Sequence, residues 1–238
     1  MDPAEPLVFD YVPGSGAMAN ILKFASQFDY KVVVKPLKGT GGGLVSRAHS
    51  PKELEAAVYK VWMKDYGVAI SPLLDIRDEI RVVVFDGSAR LVYRKVRLSI
   101  KGDGLNSLKE LFVSAMETSS VSSCKYIAEG IGRFTVKELN TVPEAGSDIP
   151  VEWRHNLGLG ATAQIVDHPA AVAIALAAAK ALGMRFCSVD VVQLEDDSLH
   201  VLEVNAGVMM DSFLTSSDEN RNLAKQIYTD VLKQCLNS

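Results

Sequence analysis

Cysteine is scarce in this chain, with three in 238 residues. Cys124, Cys187 and Cys235 are odd in number and far apart, and no CxxC pair or Cys/His cluster accompanies them. That argues against a disulfide framework and against a structural zinc site, and leaves reduced, buried thiols as the expectation. Basic runs are also lacking, and the formal charge is −4, so no nucleic acid partner is expected. The most apolar stretch, Ala170 to Leu182, is shorter than a membrane span and contains Lys180, so no membrane partner is expected either. The N-terminus, Met-Asp-Pro-Ala-Glu-Pro, has no signal-peptide pattern, and a cytoplasmic location follows as the default. With only four histidines, no convincing Ser/His or Cys/His pairing offers an enzyme nucleophile.

What is present is an ordinary globular composition, 48% hydrophobic and 23% charged, on a chain long enough to bury a substantial core. Residues 1–15, rich in Pro, Gly and acids, read as a lead-in. Ala17–Phe28 has helical apolar spacing, and Tyr30–Lys35 is a β-branched strand ending at Pro36. A second strand is expected over Leu44–Ala48. Ser50-Pro51-Lys52-Glu53 opens a helix that should run to about Lys64, with Ser at N-cap, Pro at N1 and Glu at N3. Val68–Leu74 reads as a strand, and Glu79–Phe85 with Ala89–Val96 as a hairpin around Asp86-Gly87. Residues 98–150 are less regular, apart from a capping box at Ser107–Glu110. A helix over Ala170–Leu182, strands Phe186–Leu194 and Leu199–Val204, and a closing helix Asn222–Gln234 complete the chain. Helices and strands mix without strict βαβ alternation, so the fold class is α+β.

Two places carry chemistry. The first is Lys38 with Gly39-Thr40-Gly41-Gly42-Gly43. No Gly-Lys-Ser/Thr ends it and no helix opens after it, so it is neither a P-loop nor a dinucleotide fingerprint. It reads as the tip of a β-hairpin, where small residues let backbone N–H groups approach phosphate oxygens, with Lys35 a strand-end away. A plain glycine-rich turn would explain it equally well. The second is the C-terminal hairpin. Counting outward from Glu195-Asp196-Asp197-Ser198 pairs Leu194 with Leu199, Val192 with Val201, and Asp190 with Glu203; Asn205 falls on the face of Glu203. Two opposed carboxylates repel unless something positive lies between them, and an Asp, Glu and Asn trio suits a hard divalent cation such as Mg²⁺. An exposed acidic sheet end is the bland alternative.

The order of these features resembles the ATP-grasp superfamily, and within it the branch of ribosomal-protein glutamate ligases and cyanophycin synthetase. Val33-Val34-Lys35-Pro36 with Gly39–Gly43 looks like the lysine strand and phosphate flap. Ile70-Ser71-Pro72-Leu73 occupies the interdomain hinge, and Asp78-Glu79-Ile80-Arg81 resembles the acid-x-arginine strand that follows it. Gly102-Asp103-Gly104 is similar to a stretch in cyanophycin synthetase. Trp153–Gly158 resembles the Arg-x-Asn loop, and Val189-Asp190 with Leu202–Ala206 the metal-binding strands.

The resemblance implies two α+β subdomains clamping ATP: residues 16–74 with the flap, and residues 75–238 with an insertion at 98–150. The N-terminal domain that usually precedes this region has no counterpart in the sequence. ATP and Mg²⁺, or Mn²⁺, are the implied cofactors. Nucleotide contacts fall to Lys35, Lys38, Gly39, Thr40, Gly41, Gly42, Gly43, Ile70, Ser71, Leu73 and Glu79. Metal ligation falls to Asp190, Glu203 and Asn205, and catalysis to Arg154, Arg81 and Asn156. The implied activity is an ATP-dependent carboxylate–amine ligase that forms an amide or peptide bond through an acyl phosphate. The implied partner is a small amino-acid or peptide substrate, with a homodimer or a chain supplying the N-terminal domain allowed. The rivals are a non-catalytic ATP-binding or interaction module on the same fold, and a carboxylase-like relative. His155 is expected to be an exposed bystander.

Overall fold

The computed structural model describes residues 7–9, 16–39, 41–64, 67–119 and 121–237. Thr40, one of the expected flap residues, lies outside the described residues, as does most of the expected lead-in. The chain forms two compact units, Met1–Asp75 and Ile76–Ser238.

The first unit is an antiparallel sheet with two helices. Its strands are β1 (Leu7–Phe9), β2 (Val32–Pro36), β3 (Ser46–Ala48) and β4 (Val68–Pro72), in the order β1-β4-β2-β3. Residues 7–9 are therefore not lead-in: they pair with β4, Leu7 opposite Ile70 and Phe9 opposite Val68. Helices α1 (Ala17–Ser26) and α2 (Pro51–Trp62) supply Ile21, Phe24, Ala25, Leu54, Val58 and Val61 to a core that takes Val32, Val34, Val68 and Ile70 from the sheet. Strand alternation sends Val33, Lys35, Ala69 and Ser71 to the other face. Helix α1 ends earlier than its apolar spacing suggests because Asp29 and Tyr30 adopt left-handed backbone, φ 51° and 58°, and the Tyr30 N–H closes back on the Ala25 carbonyl. Leu44, at φ 61°, likewise delays β3 to Ser46. The expected cap of α2 is present: the Ser50 side chain accepts from Glu53 N–H.

The second unit is built on strands β5 (Ile76–Phe85), β6 (Ser88–Val96), β9 (Thr162–Ile165), β10 (Phe186–Leu194) and β11 (Leu199–Asn205), all antiparallel, in the order β11-β10-β5-β6-β9. Asp86 and Gly87, both at positive φ, make the tight β5–β6 turn. Helix α6 (Pro169–Ala181) lays Ala171, Ala175 and Ala179 on one face of the sheet, against Ile80, Val82, Val84, Cys187, Val189 and Val191. That alanine stripe at i, i+4, i+8 lets helix and sheet approach closely. Helices α7 (Asp211–Leu214) and α8 (Asp218–Leu236) cover the other face with Phe213, Ala224, Ile227 and Val231, packed on Val83, Phe85, Leu91 and Tyr93. Each valine fully buried this way contributes about 1.5–3 kcal/mol, so a one-residue slip of β10 is strongly disfavoured.

The expectation of an irregular segment over 98–150 is corrected. Strands β7 (Ser99–Lys101) and β8 (Asp148–Pro150) pair, and helices α3 (Leu108–Thr118), α4 (Val121–Ile131) and α5 (Val136–Leu139) join them. Ile100, Leu108, Phe112, Ile127 and Val151 form a separate core there. Its strands are three residues long, too short to show a period. No described helix is long and apolar enough to cross a membrane.

Candidate functional site

Strand parity places the charged residues of the second unit. Val83 and Phe85 lie under α7 and α8, so Glu79 and Arg81 share their face of β5. By the same alternation Lys95 follows Leu91 and Tyr93 on β6, and Asp190 and Ser188 follow Phe186 on β10. Arg81 donates Nε–H and Nη2–H to the two Asp190 oxygens at 2.7 and 2.6 Å, a bidentate grip. Lys95 Nζ reaches the same carboxylate at 3.0 Å and also bonds Glu79. Glu79, Lys95 and Asp190 are all buried. Two cations thus face two anions, and the group is neutral overall. Burial would raise the Asp190 carboxyl, but the Arg81 hydrogen bonds and the charges of Lys95 and Arg81 bring it down to about 2. Burial pushes Glu79 up, with Lys95 opposing. Burial would lower Lys95, yet the charges of Glu79 and Asp190 hold it above the ordinary lysine value.

The opposition of Asp190 and Glu203 is present in the ladder, but the outward count to it is corrected. Gln193 pairs with Leu199, Val192 with His200 and Val191 with Val201; the register then shifts, and Asp190 pairs with Glu203 and Ser188 with Asn205. The turn closes one residue early, with Asp197 at φ 67°, and an extra residue on β11 restores the expected alignment at the acids. Glu203 is exposed and accepts from Asn205 Nδ2 at 3.0 Å. Arg81 and Lys95, rather than a metal alone, answer the Asp190 charge.

The loop after the insertion is anchored to the same sheet. His155 is buried, correcting the exposed-bystander expectation, and its Nδ1–H donates to the Lys95 carbonyl at 2.8 Å. Burial lowers its pKa below the ordinary histidine value, and Nε2 is buried with no hydrogen-bond partner among the described residues. Beside it, Arg154 is held by Glu152: its backbone N–H and Nε–H bond Oε1 at 3.1 and 3.0 Å, and Nη2–H bonds Oε2 at 3.0 Å. Glu152 is buried and also receives Arg133 Nη2 at 2.6 Å. Asn156 uses Oδ1 to accept from Gly158 N–H at 2.8 Å, capping a 3₁₀ turn over Leu157–Leu159. Asp103 is likewise occupied locally, accepting from the backbone N–H groups of Leu105 and Asn106.

In the first unit, Lys35 lies on β2 opposite Ala69, on the face away from the helices, and Lys38 is exposed at the loop that follows. Gly39 (φ 138°), Gly41 (φ 68°) and Gly42 (φ 73°) take backbone conformations that side chains resist. Ile70 and Ser71 are within β4, and the Leu73 N–H is spent on the Lys31 carbonyl, so an adenine contact there would fall to the Leu73 carbonyl.

Asp190, Glu203 and Asn205 share one sheet face and offer only oxygen donors, which fits Mg²⁺. Among the described residues no three His, Cys, Asp or Glu side chains gather to hold a metal alone. Mg²⁺ takes few protein ligands and completes its shell with water and phosphate oxygens, so a sparse set suits it. Sequence reasoning missed Lys95 and Arg133, and weighed Glu152 only as a surface partner of Arg154, whereas it is buried. A signal for Lys95 existed: it continues the parity of Leu91 and Tyr93, a lysine on a core-facing stripe.

Residues 140–231 match a family model described as the RimK-like ATP-grasp domain. That segment contains Arg154, Asn156, Asp190, Glu203 and Asn205. No curated protein sequence matches the chain. The fold is similar to that of the D-cycloserine synthetase DcsG, at 19% identity and TM-score 0.52, covering 96% of this chain and 65% of that one. It is similar to D-alanine–D-alanine ligase from Bacillus anthracis, at 18% and 0.52, covering 89% and 58%. It is also similar to the macrocyclase MdnC of Microcystis aeruginosa MRC, at 14% and 0.50, covering 98% and 55%. The chain therefore spans less than two thirds of the length of each. Residues 140–231 are thus similar to a RimK-like ATP-grasp domain, and the chain shares its fold with these three solved structures.

Proposed function

We propose that the protein is an ATP-dependent carboxylate–amine ligase that makes an amide or peptide bond through an acyl phosphate. The observation that carries this reading is the β10–β11 pairing, which sets Asp190 opposite Glu203 with Asn205 on the same face, beside Arg81 and Lys95. Asp190, Glu203 and Asn205 would hold Mg²⁺, which bound there offsets negative charge on the nucleotide phosphates. Lys35, Lys38 and the Gly39–Gly43 flap of the first unit bind phosphates through charge and backbone N–H groups. Ile70, Ser71, Leu73 and Glu79 contribute to nucleotide binding around the adenosine.

A substrate carboxylate then attacks the γ-phosphorus of ATP, ADP leaves, and the amine attacks the acyl phosphate through a tetrahedral intermediate, releasing phosphate. Arg154 orients and stabilises the transferring phosphoryl group, since a guanidinium grips two oxygens at once. Arg81 acts chiefly by holding Asp190 ionised and in place, and Asn156 by shaping the loop that carries Arg154. The MdnC neighbour was solved with a precursor peptide, and an amino acid or short peptide is the substrate class proposed here.

The test is ADP release from Mg²⁺ and ATP against a panel of amino acids and short peptides. A stimulating carboxylate labelled with ¹⁸O should pass one label to phosphate. Tight ATP binding with no member of the panel raising ADP release would favour the non-catalytic ATP-binding module instead.

A further inference from the structure

Beside the proposed metal ligands lies a hydroxyl that the fold buries without using. Ser188 is on β10 two residues before Asp190, so its side chain is on the same sheet face. It is 1% exposed, and its Oγ has no hydrogen-bond partner among the described residues. Buried hydroxyls almost always have a partner, because burial strips them of water without return. The neighbours narrow the choice. Across the ladder on one side is Val83 of β5, which has no polar side-chain atom, and Asp190 has both oxygens engaged by Arg81. On the other side, directly opposite, is Asn205 of β11. Directly opposed residues have Cβ atoms roughly 4.5–5.5 Å apart, a gap that a hydroxyl and an amide bridge with one hydrogen bond. Asn205 instead donates Nδ2–H to Glu203 Oε1 at 3.0 Å.

We propose that Ser188 is a positioning residue for Asn205: its Oγ accepts the Asn205 Nδ2–H once Oδ1 is committed to Mg²⁺. This rests on the proposed metal site. An amide has one end that donates and one that accepts, and Mg²⁺ takes only the oxygen. With Nδ2 aimed at Glu203, the nitrogen occupies the side that the acids share. Ligation turns the amide over, and Glu203, itself drawn to the ion, gives up the Nδ2–H. That N–H then needs an acceptor away from the cation, and Ser188 Oγ supplies one from a strand inside the sheet. The hydroxyl without a partner is thus a cost to the metal-free fold that is recovered on loading. Fixing which end of the amide faces the ion is the ordinary work of a group placed behind a metal ligand.

The test is calorimetric titration of ATP at increasing Mg²⁺ into the intact chain, with the melting temperature measured without metal. Its probes are ATP and Mg²⁺ alone, so no acid or amine substrate is needed. Without Mg²⁺, S188A should melt no lower than the parent, since it removes a hydroxyl that bonds nothing, and should bind ATP equally well. It should lose about fivefold of the Mg²⁺-dependent gain in ATP affinity, the worth of one net hydrogen bond. N205A should lose that gain too, and S188A added to N205A should cause no further loss, because the two act through one contact. A lower melting temperature in S188A without metal would show the hydroxyl already paired in the fold, and overturns the inference. An undiminished gain in S188A, or a loss that adds to that of N205A, overturns it as well and leaves the metal site standing. No gain in the parent, or a full gain in N205A, overturns Asn205 as a ligand and the inference with it.

Discussion

Arg154 and Asp190 are each held by side chains of the opposite charge, with different consequences. Arg154 is fixed by a buried carboxylate and by a neighbouring histidine tied to the sheet, so it is held before any nucleotide arrives. R154K should keep most ATP affinity but lose kcat on the order of 10²–10³-fold, the usual loss for one pre-organised stabilising donor. A kcat within about twofold of the parent in the ADP-release assay would contradict its role. Asp190 carries a pH signature. Its folded pKa of about 2 lies below the ordinary 3.8, so the folded state binds fewer protons than the unfolded chain between those values. Its share of stability, on the order of 2 kcal/mol, is complete above about pH 4 and is lost as pH falls through about 2. Glu79 has the opposite sign: its raised pKa makes stability fall as pH rises above the ordinary glutamate value of 4.5. In acid titrations of stability, E79Q should lose the decline above pH 4.5, while the loss toward pH 2 persists. Unchanged behaviour above pH 4.5 would show that the pair with Lys95 leaves Glu79 fully ionised.

At the scale of elements, the β10–β11 hairpin was legible for its acids and misread for its turn. Asp190 and Glu203 faced each other in a simple outward count because two displacements cancel, an early turn at Asp197 and an added residue on β11. Neither displacement has a sequence marker as plain as Asp86-Gly87 in the β5–β6 turn. The cations that answer Asp190 were hidden for a different reason. Arg81 stood out beside Glu79, but Lys95 comes from a third strand, and only the sheet order β10-β5-β6 brings it across. The insertion was read as irregular because its strands are too short to show a period, although its capping box at Ser107 was plain. That element gives a direct prediction: G130A should destabilise the chain by about 1–3 kcal/mol, the usual penalty for overpacking, because Val151 must move. A melting temperature equal to the parent's would show that the α4–Val151 contact is loose. In the first unit, Lys35→Ala should weaken ATP binding while leaving thermal stability intact, since Lys35 lies on the sheet face opposite the core. Unchanged affinity would remove Lys35 from the nucleotide site.

For the whole molecule, the two units divide the work that the proposal assigns. The first offers Lys35 on a sheet whose other face is occupied by its own core. The second offers the acids, amide and arginine on one sheet face and one anchored loop. The α+β class and the likeness to an ATP-grasp domain were legible because short motifs keep their order along the chain. The buried network was not, because it depends on strands far apart in sequence. The central claim is a Mg²⁺-dependent nucleotide site at Asp190, Glu203 and Asn205, and it is tested most directly by titrating ATP calorimetrically at increasing Mg²⁺ into the parent and E203Q. Glu203 is exposed while Arg81 and Lys95 already neutralise Asp190, so E203Q should leave metal-free stability within about 0.5 kcal/mol of the parent. The account predicts that Mg²⁺ strengthens ATP binding to the parent at least tenfold and that E203Q removes most of that gain. An equal gain in both proteins, or none in the parent, would contradict it.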